Sequence, residues 1–67
     1  MVEVMINGSP RRLERALPVS ELIRSMALAG KKIAVEKNGE IVPRSAHAST
    51  LVADGDRLEI VHAIGGG

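Results

Sequence analysis

Only one stretch of this chain carries helical periodicity, and the rest of the fold has to be built around it. Val19, Leu22, Ile23 and Met26 fall at i, i+3, i+4 and i+7, which is one apolar stripe of a helix. Pro18 stands where the first turn begins, where a missing N–H does no harm. Ser20 and Glu21 suit the positive end of the helix dipole. Gly30 reads as the C-terminal cap, with Lys31 and Lys32 after it, so the pattern predicts a helix of about three turns. A single helix covers one face of one sheet, and the remaining apolar residues must supply that sheet.

They do so with a period of two. Val2, Val4 and Ile6 alternate with Glu3 and Met5, as in a half-buried strand. Asn7-Gly8-Ser9-Pro10 reads as a turn, so residues 2–7 and about 11–16 are expected to form a hairpin. In its second strand Leu13 is the firmest inward residue, and Arg11, Arg12, Glu14 and Arg15 suit a solvated edge. Ile33-Ala34-Val35 opens another strand, Asn38-Gly39 marks a tight turn, and Ile41-Val42 returns before Pro43. Residues 44–53 show no period and read as a loop with room for one helical turn. Asp54-Gly55-Asp56 is a turn signal that launches the last strand, Arg57 to Ile64, with Leu58, Ile60 and Ile64 on one face. The three NG and DG turns are read as turn chemistry alone. A hairpin, a crossing helix and a final strand parallel to the first close one core in a mixed sheet of four to five strands with the right-handed connection that such crossovers prefer. This is an α+β roll, the β-grasp or ubiquitin-like fold, over residues 1–64, followed by a Gly65-Gly66-Gly67 tail expected to be flexible.

Size and composition narrow the function. Sixty-seven residues make one small domain. Its core leaves little room for a deep pocket with a supporting shell, which lowers the expectation of an enzyme. A net charge of +1 with both signs interspersed, and no aromatic residue at all, gives no footprint for nucleic acid. No apolar run reaches membrane-spanning length and the Met-Val-Glu start is not a signal peptide, so the expected location is the cytoplasm. Without cysteine there is no disulfide and no thiolate metal site, and any sulfur this chain handles would be carried on its C-terminal carboxylate.

Several of these features together resemble a known family. The length, the strand order, Ile33-Ala34-Val35 with Asn38 after it, Ile41-Val42-Pro43-Arg44, the Asp54-Gly55-Asp56 turn and the Gly-Gly ending are similar to the ThiS-type sulfur carriers of thiamine biosynthesis. Val42-Pro43-Arg44 favours the thiamine branch over the related molybdopterin carriers. Two departures stand out: a third glycine in the tail, and His47 where the family often has an aromatic residue.

The resemblance implies a chemistry centred on Gly67. Its carboxylate would be adenylated with ATP by an E1-like enzyme of the ThiF type and converted to a thiocarboxylate with sulfur from a donor protein. A ThiG-type thiazole synthase would then consume that sulfur. The chain itself would be a protein co-substrate, not an enzyme, with no bound cofactor and no metal. Glycine fits the role because it lets another backbone approach closely, and three extended glycines reach about 10 Å into a partner. Gly65 and Gly66 would thread the partner's active site. Fixing each residue costs about 1–2 kcal/mol, so affinity has to come from the folded domain. Strand parity puts Met5, Val61 and Ala63 on the face away from the helix, as an apolar docking patch.

Plainer readings stand beside these. A glycine tail is also what a frayed terminus looks like, and scattered exposed apolar residues are normal. His62 has core-face parity and reads as a packing residue, while His47 has no ligand-like spacing around it. The same tail would serve a sulfur carrier for molybdopterin or for tRNA thiolation, and the same sheet would serve an interaction module without tail chemistry.

Overall fold

The computed structural model describes residues 1–62. Five strands form the main sheet: β1 (Val2–Ile6), β2 (Ser9–Leu13), β4 (Ile33–Lys37), β5 (Glu40–Val42) and β7 (Arg57–His62). Their spatial order is β2-β1-β7-β4-β5, antiparallel except for the parallel β1–β7 pair at the centre. Helix α1 (Val19–Ser25) crosses one face. Val4, Ile6, Val35, Val42, Leu58 and Ile60 from the strands meet Val19, Leu22 and Ile23 of the helix in one buried cluster. The mixed sheet, single helix and strand order match the β-grasp expectation.

Local chemistry sets where each element begins and ends. Asn7 and Gly8 both have positive φ, 50° and 82°, so they alone make a two-residue type I′ turn. Ser9 and Pro10 therefore already belong to β2, paired with Ile6 and Met5, and the strand is Ser9–Leu13 instead of 11–16. Proline is tolerated there because β2 is an edge strand. Asn38-Gly39 repeats this geometry between β4 and β5, at φ 53° and 86°.

The helix is shorter than three turns because the chain leaves it before Gly30. Met26 caps it, and Ala27 takes the left-handed conformation at φ 61°. The Ala27 N–H reaches the Arg24 carbonyl and the Leu28 N–H reaches that of Ile23, each at 3.0 Å. This is a Schellman motif with alanine in place of the usual glycine, and Leu28 packs back on the core. At the other end Pro18 is the N-cap. It offers no side-chain oxygen, so the Val19 and Ser20 N–H groups donate to the Thr50 and His47 carbonyls at 2.8 and 3.0 Å.

Residues 44–53 hold more structure than a loop. Arg44–Ala46 make one 3₁₀ turn, and β6 (Leu51–Val52) pairs with β3 (Leu17–Pro18) in a second, two-stranded sheet. Val52 is fully buried, which ties this sheet into the core. The last strand was expected to reach Ile64; Ala63, Ile64 and the three glycines lie outside the described residues.

Candidate functional site

Strand β7 immediately precedes the C-terminal segment in sequence, and the side chains that hold it come from three turns. Its leading end is fixed by the Asp54–Asp56 turn. The Glu3 N–H donates to Asp54 Oδ1 at 2.8 Å, the Gly55 N–H to the Glu3 carbonyl at 2.8 Å, and the Met5 N–H to the Asp56 carbonyl at 3.0 Å. Asp56 accepts from the Ala53 N–H at 2.8 Å and from Asn38 Nδ2 at 3.0 Å, with Lys37 Nζ 3.7 Å away. Burial alone would raise the Asp56 pKa; the Ala53 and Asn38 hydrogen bonds and the Lys37 charge outweigh it and hold the carboxyl below its ordinary 3.8. Asn38 also accepts the Arg57 N–H on Oδ1 at 2.9 Å, while its own N–H donates to the Arg57 carbonyl at 2.7 Å. The turns thus do more than reverse the chain.

Further along, Asn7 finishes the parallel ladder with its side chain. Its backbone N–H donates to the Leu58 carbonyl at 2.9 Å. Its Oδ1 then accepts the Ile60 N–H at 2.7 Å and its Nδ2 donates to the Ile60 carbonyl at 2.9 Å. Beyond Ile60, β4 continues alone, with Ala34 opposite Val61 and Ile33 opposite His62.

The open face of the sheet carries both docking residues named from sequence that can be described. Met5 is 38% exposed and Val61 54% exposed. They are not neighbours: Met5 pairs with Arg57, and Val61 is four residues further on, roughly 13 Å at the usual rise. Between them lie Glu59 and, directly across on β4, Glu36. Val61 instead faces Ala34, and Ile41, 65% exposed, stands on the same face opposite Glu36. The reading from sequence passed over Ala34 and Ile41, although the same period-two parity could have found them. Beside Met5 the surface forms an open hollow of about 260 Å³ lined by Glu3, Pro10, Asp56 and Arg57, at the end where β7 begins. Ala63, Gly65, Gly66 and Gly67 lie outside the described residues.

The remaining singled-out side chains have local roles. His47 is half-buried, its Nε2 3.1 Å from the Val42 carbonyl. His62 keeps the inward parity but is exposed, so it does not pack in the core as expected. Arg44 donates to the Lys31 carbonyl at 3.3 Å. Among the described residues no group of three or more His, Asp or Glu side chains is placed to hold a metal ion, and no helix is long and apolar enough to cross a membrane.

Residues 4–67 match the ThiS family. The chain belongs to that family. The crystal structure of the thiamine biosynthesis protein ThiS from Geobacter metallireducens superposes with a TM-score of 0.87 at 35% identity, covering 98% of this chain and all of that one. The sulfur carrier protein ThiS of Bacillus subtilis (strain 168) is 37% identical over 49 residues, 73% of this chain and 74% of its own. A thiazole synthase of Paramagnetospirillum magneticum is 44% identical over 66 residues. That stretch is 98% of this ThiS-family chain, which spans only 20% of the length of the synthase. The ThiS match runs through residues 65–67.

Proposed function

We propose that this ThiS-family domain is a sulfur carrier for the thiazole of thiamine and that the sulfur is carried on Gly67. The observation that supports it best is the continuity of the family match from residue 4 through the three glycines. The Gly67 carboxylate attacks the α-phosphorus of ATP bound to an E1-like enzyme, and pyrophosphate leaves. Hydrosulfide supplied by a donor protein then adds to the acyl carbon and AMP departs, taking one of the original carboxylate oxygens with it and leaving a thiocarboxylate. Activation is necessary because a carboxylate repels nucleophiles and has no good leaving group. The chain supplies the acyl group, and its partners supply nucleotide binding and catalysis.

The thiazole synthase that contains a closely similar domain supports a ThiG-type enzyme as the consumer of the sulfur. Docking uses the open sheet face, with Val61 and Ala34 beyond the Glu36–Glu59 pair, Ile41 level with it on β5, and Met5 before it on β1.

The test is intact-protein mass analysis after incubation with the adenylating enzyme, ATP and a sulfur donor. One oxygen-for-sulfur exchange is expected, located on Gly67. Deleting Gly67 should abolish it with the fold unchanged. Sulfur transfer by the truncated chain would sink the reading. Rescue of a thiazole-requiring strain distinguishes thiamine from molybdopterin or tRNA thiolation as the destination.

A further inference from the structure

Two of the turns set an asparagine before a glycine, Asn7-Gly8 and Asn38-Gly39, and that pairing carries a chemistry of its own. A glycine nitrogen, with no Cβ beside it, can add to the side-chain amide carbon of the preceding residue and close a five-membered ring. Asn7, Gly8, Asn38 and Gly39 are all exposed, so water and base reach both sites. Among the described residues neither glycine N–H has a hydrogen-bond partner. The Asp54-Gly55 turn differs in this respect. There the Gly55 N–H donates to the Glu3 carbonyl at 2.8 Å and Asp54 Oδ1 accepts the Glu3 N–H, which engages both reacting groups.

With access equal, the two Asn-Gly sites are separated by the hold on their side chains. Ring closure needs the amide carbon to swing over the glycine nitrogen, and each amide is pinned by both of its polar atoms. Asn7 is held by one residue, its Oδ1 accepting the Ile60 N–H at 2.7 Å and its Nδ2 donating to the Ile60 carbonyl at 2.9 Å. Backbone register between β1 and β7 has already ended at Ile6 and Leu58, so this clamp closes a short ladder. Asn38 is held by two residues, through the Arg57 N–H at 2.9 Å and Asp56 Oδ1 at 3.0 Å. Asp56 is itself tied to Ala53 and Lys37. Local opening is easiest where a ladder is short and solvated, so the Asn7 amide is released more often than that of Asn38.

We propose that Asn7-Gly8 is a spontaneous deamidation site gated by release of Ile60, with Asn38-Gly39 as its protected counterpart. Base takes the Gly8 amide proton, the nitrogen adds to Asn7 Cγ, and the Cγ–Nδ2 bond breaks as ammonia leaves with a proton. Water then opens the ring at either carbonyl, giving an aspartyl or an isoaspartyl linkage with no change of oxidation state. Either product undoes the clamp. A carboxylate still accepts the Ile60 N–H, but its second oxygen meets the Ile60 carbonyl where Nδ2 donated, and two acceptors repel. The isoaspartyl form also adds a carbon to the main chain of a turn whose two-residue length sets the β1–β2 register. The site therefore converts elapsed time into a looser far end of β7, whatever the chain carries on its tail.

The experiment ages the folded chain in mildly alkaline buffer and the same chain in denaturing urea. Peptides holding Asn7 and Asn38 are then followed by mass for amide-to-acid exchange. In the folded chain Asn7 should react about tenfold faster than Asn38, and about tenfold slower than it does in urea, where the two sites converge. Both rates should rise with pH, because the attacking nitrogen must lose its proton. Equal rates in the folded chain, Asn38 reacting first, or an Asn7 rate as high as in urea would each overturn the gating. An Asn7 that stays intact while the urea sample reacts to completion would overturn the site itself. The consequence is read by amide exchange on Asn7→Asp and on the aged chain, where the Ile60 N–H should exchange about tenfold faster than before ageing. Unchanged exchange at Ile60 would overturn the loosening.

Discussion

The two ends of β7 are held in different ways. At its leading end a network of side chains ties the strand in: Asp54 binds the turn to β1, Asn38 from the β4–β5 turn takes the Arg57 N–H, and Asp56 joins Ala53, Asn38 and Lys37. At the far end one residue, Asn7, supplies the hydrogen bonds on the β1 side, and after Ile60 there is only β4. Stability is concentrated where the strand starts, and the far end is left with a short ladder. On the carrier proposal the division has a use, because the end given to a partner can change without loosening the end that holds the fold.

The contrast can be broken most directly at Asp56. Asp56→Ala removes acceptors for the Ala53 N–H and Asn38 and the partner of Lys37, and should lower unfolding free energy by about 2–3 kcal/mol, read from urea melts. Sulfur loading well below the melting temperature should be unaffected. At the far end, Asn7→Gly keeps the positive φ but strips both bonds from Ile60. A smaller loss of about 1–2 kcal/mol is expected, with faster amide exchange at Ile60 in particular. If Asn7→Gly costs more than Asp56→Ala, the asymmetry is inverted.

Acid offers a milder probe of the leading end. The folded-state pKa of Asp56 lies below its unfolded value, so its stabilisation is complete above pH 3.8 and is lost as the pH falls through the lower folded value. Thermal melts between pH 5 and about 2 should show a decline that Asp56→Asn reduces. A pH profile identical in the variant would remove the carboxylate from the account. The smallest effect expected is a gain. Ala27 occupies a left-handed position that glycine takes at little cost, and Ala27→Gly should stabilise by about 0.5–1 kcal/mol. A loss there would mean that Ala27 packs in a way its exposure does not indicate.

Strong periodicity made much of the fold legible. The stripe through Val19, Leu22 and Ile23 and the alternation of Val2, Val4 and Ile6 each carry a repeated apolar signal, and the helix between them fixes the parallel β1–β7 pair. Weak or ambiguous signals misled. Ser9-Pro10 has turn composition, yet the two-residue geometry of Asn7-Gly8 leaves both in the strand. Leu17–Pro18 and Leu51–Val52 are too short to show any period. Gly30 looked like the helix stop because glycine commonly is, while the chain bent three residues earlier on an alanine. The cross-chain work of Asn7, Asn38 and Asp56 was invisible, since turn propensity explains those residues before any distant partner has to be considered. For the candidate site, parity placed Met5 and Val61 on the open face, but their separation depended on the β1–β7 register, which no local pattern encodes.

Parallel pairing of the first and last strands also bears on how this domain can be joined to others. Two parallel neighbours start at the same pole, so whatever is attached ahead of Val2 lies at the end where β7 begins, a strand's length from where it leaves. A tag, display scaffold or second domain placed there stands a strand's length from His62. Circular permutation, by contrast, would need a linker running the full length of the sheet. The topology makes the pole where β1 and β7 both begin the natural handle of this domain.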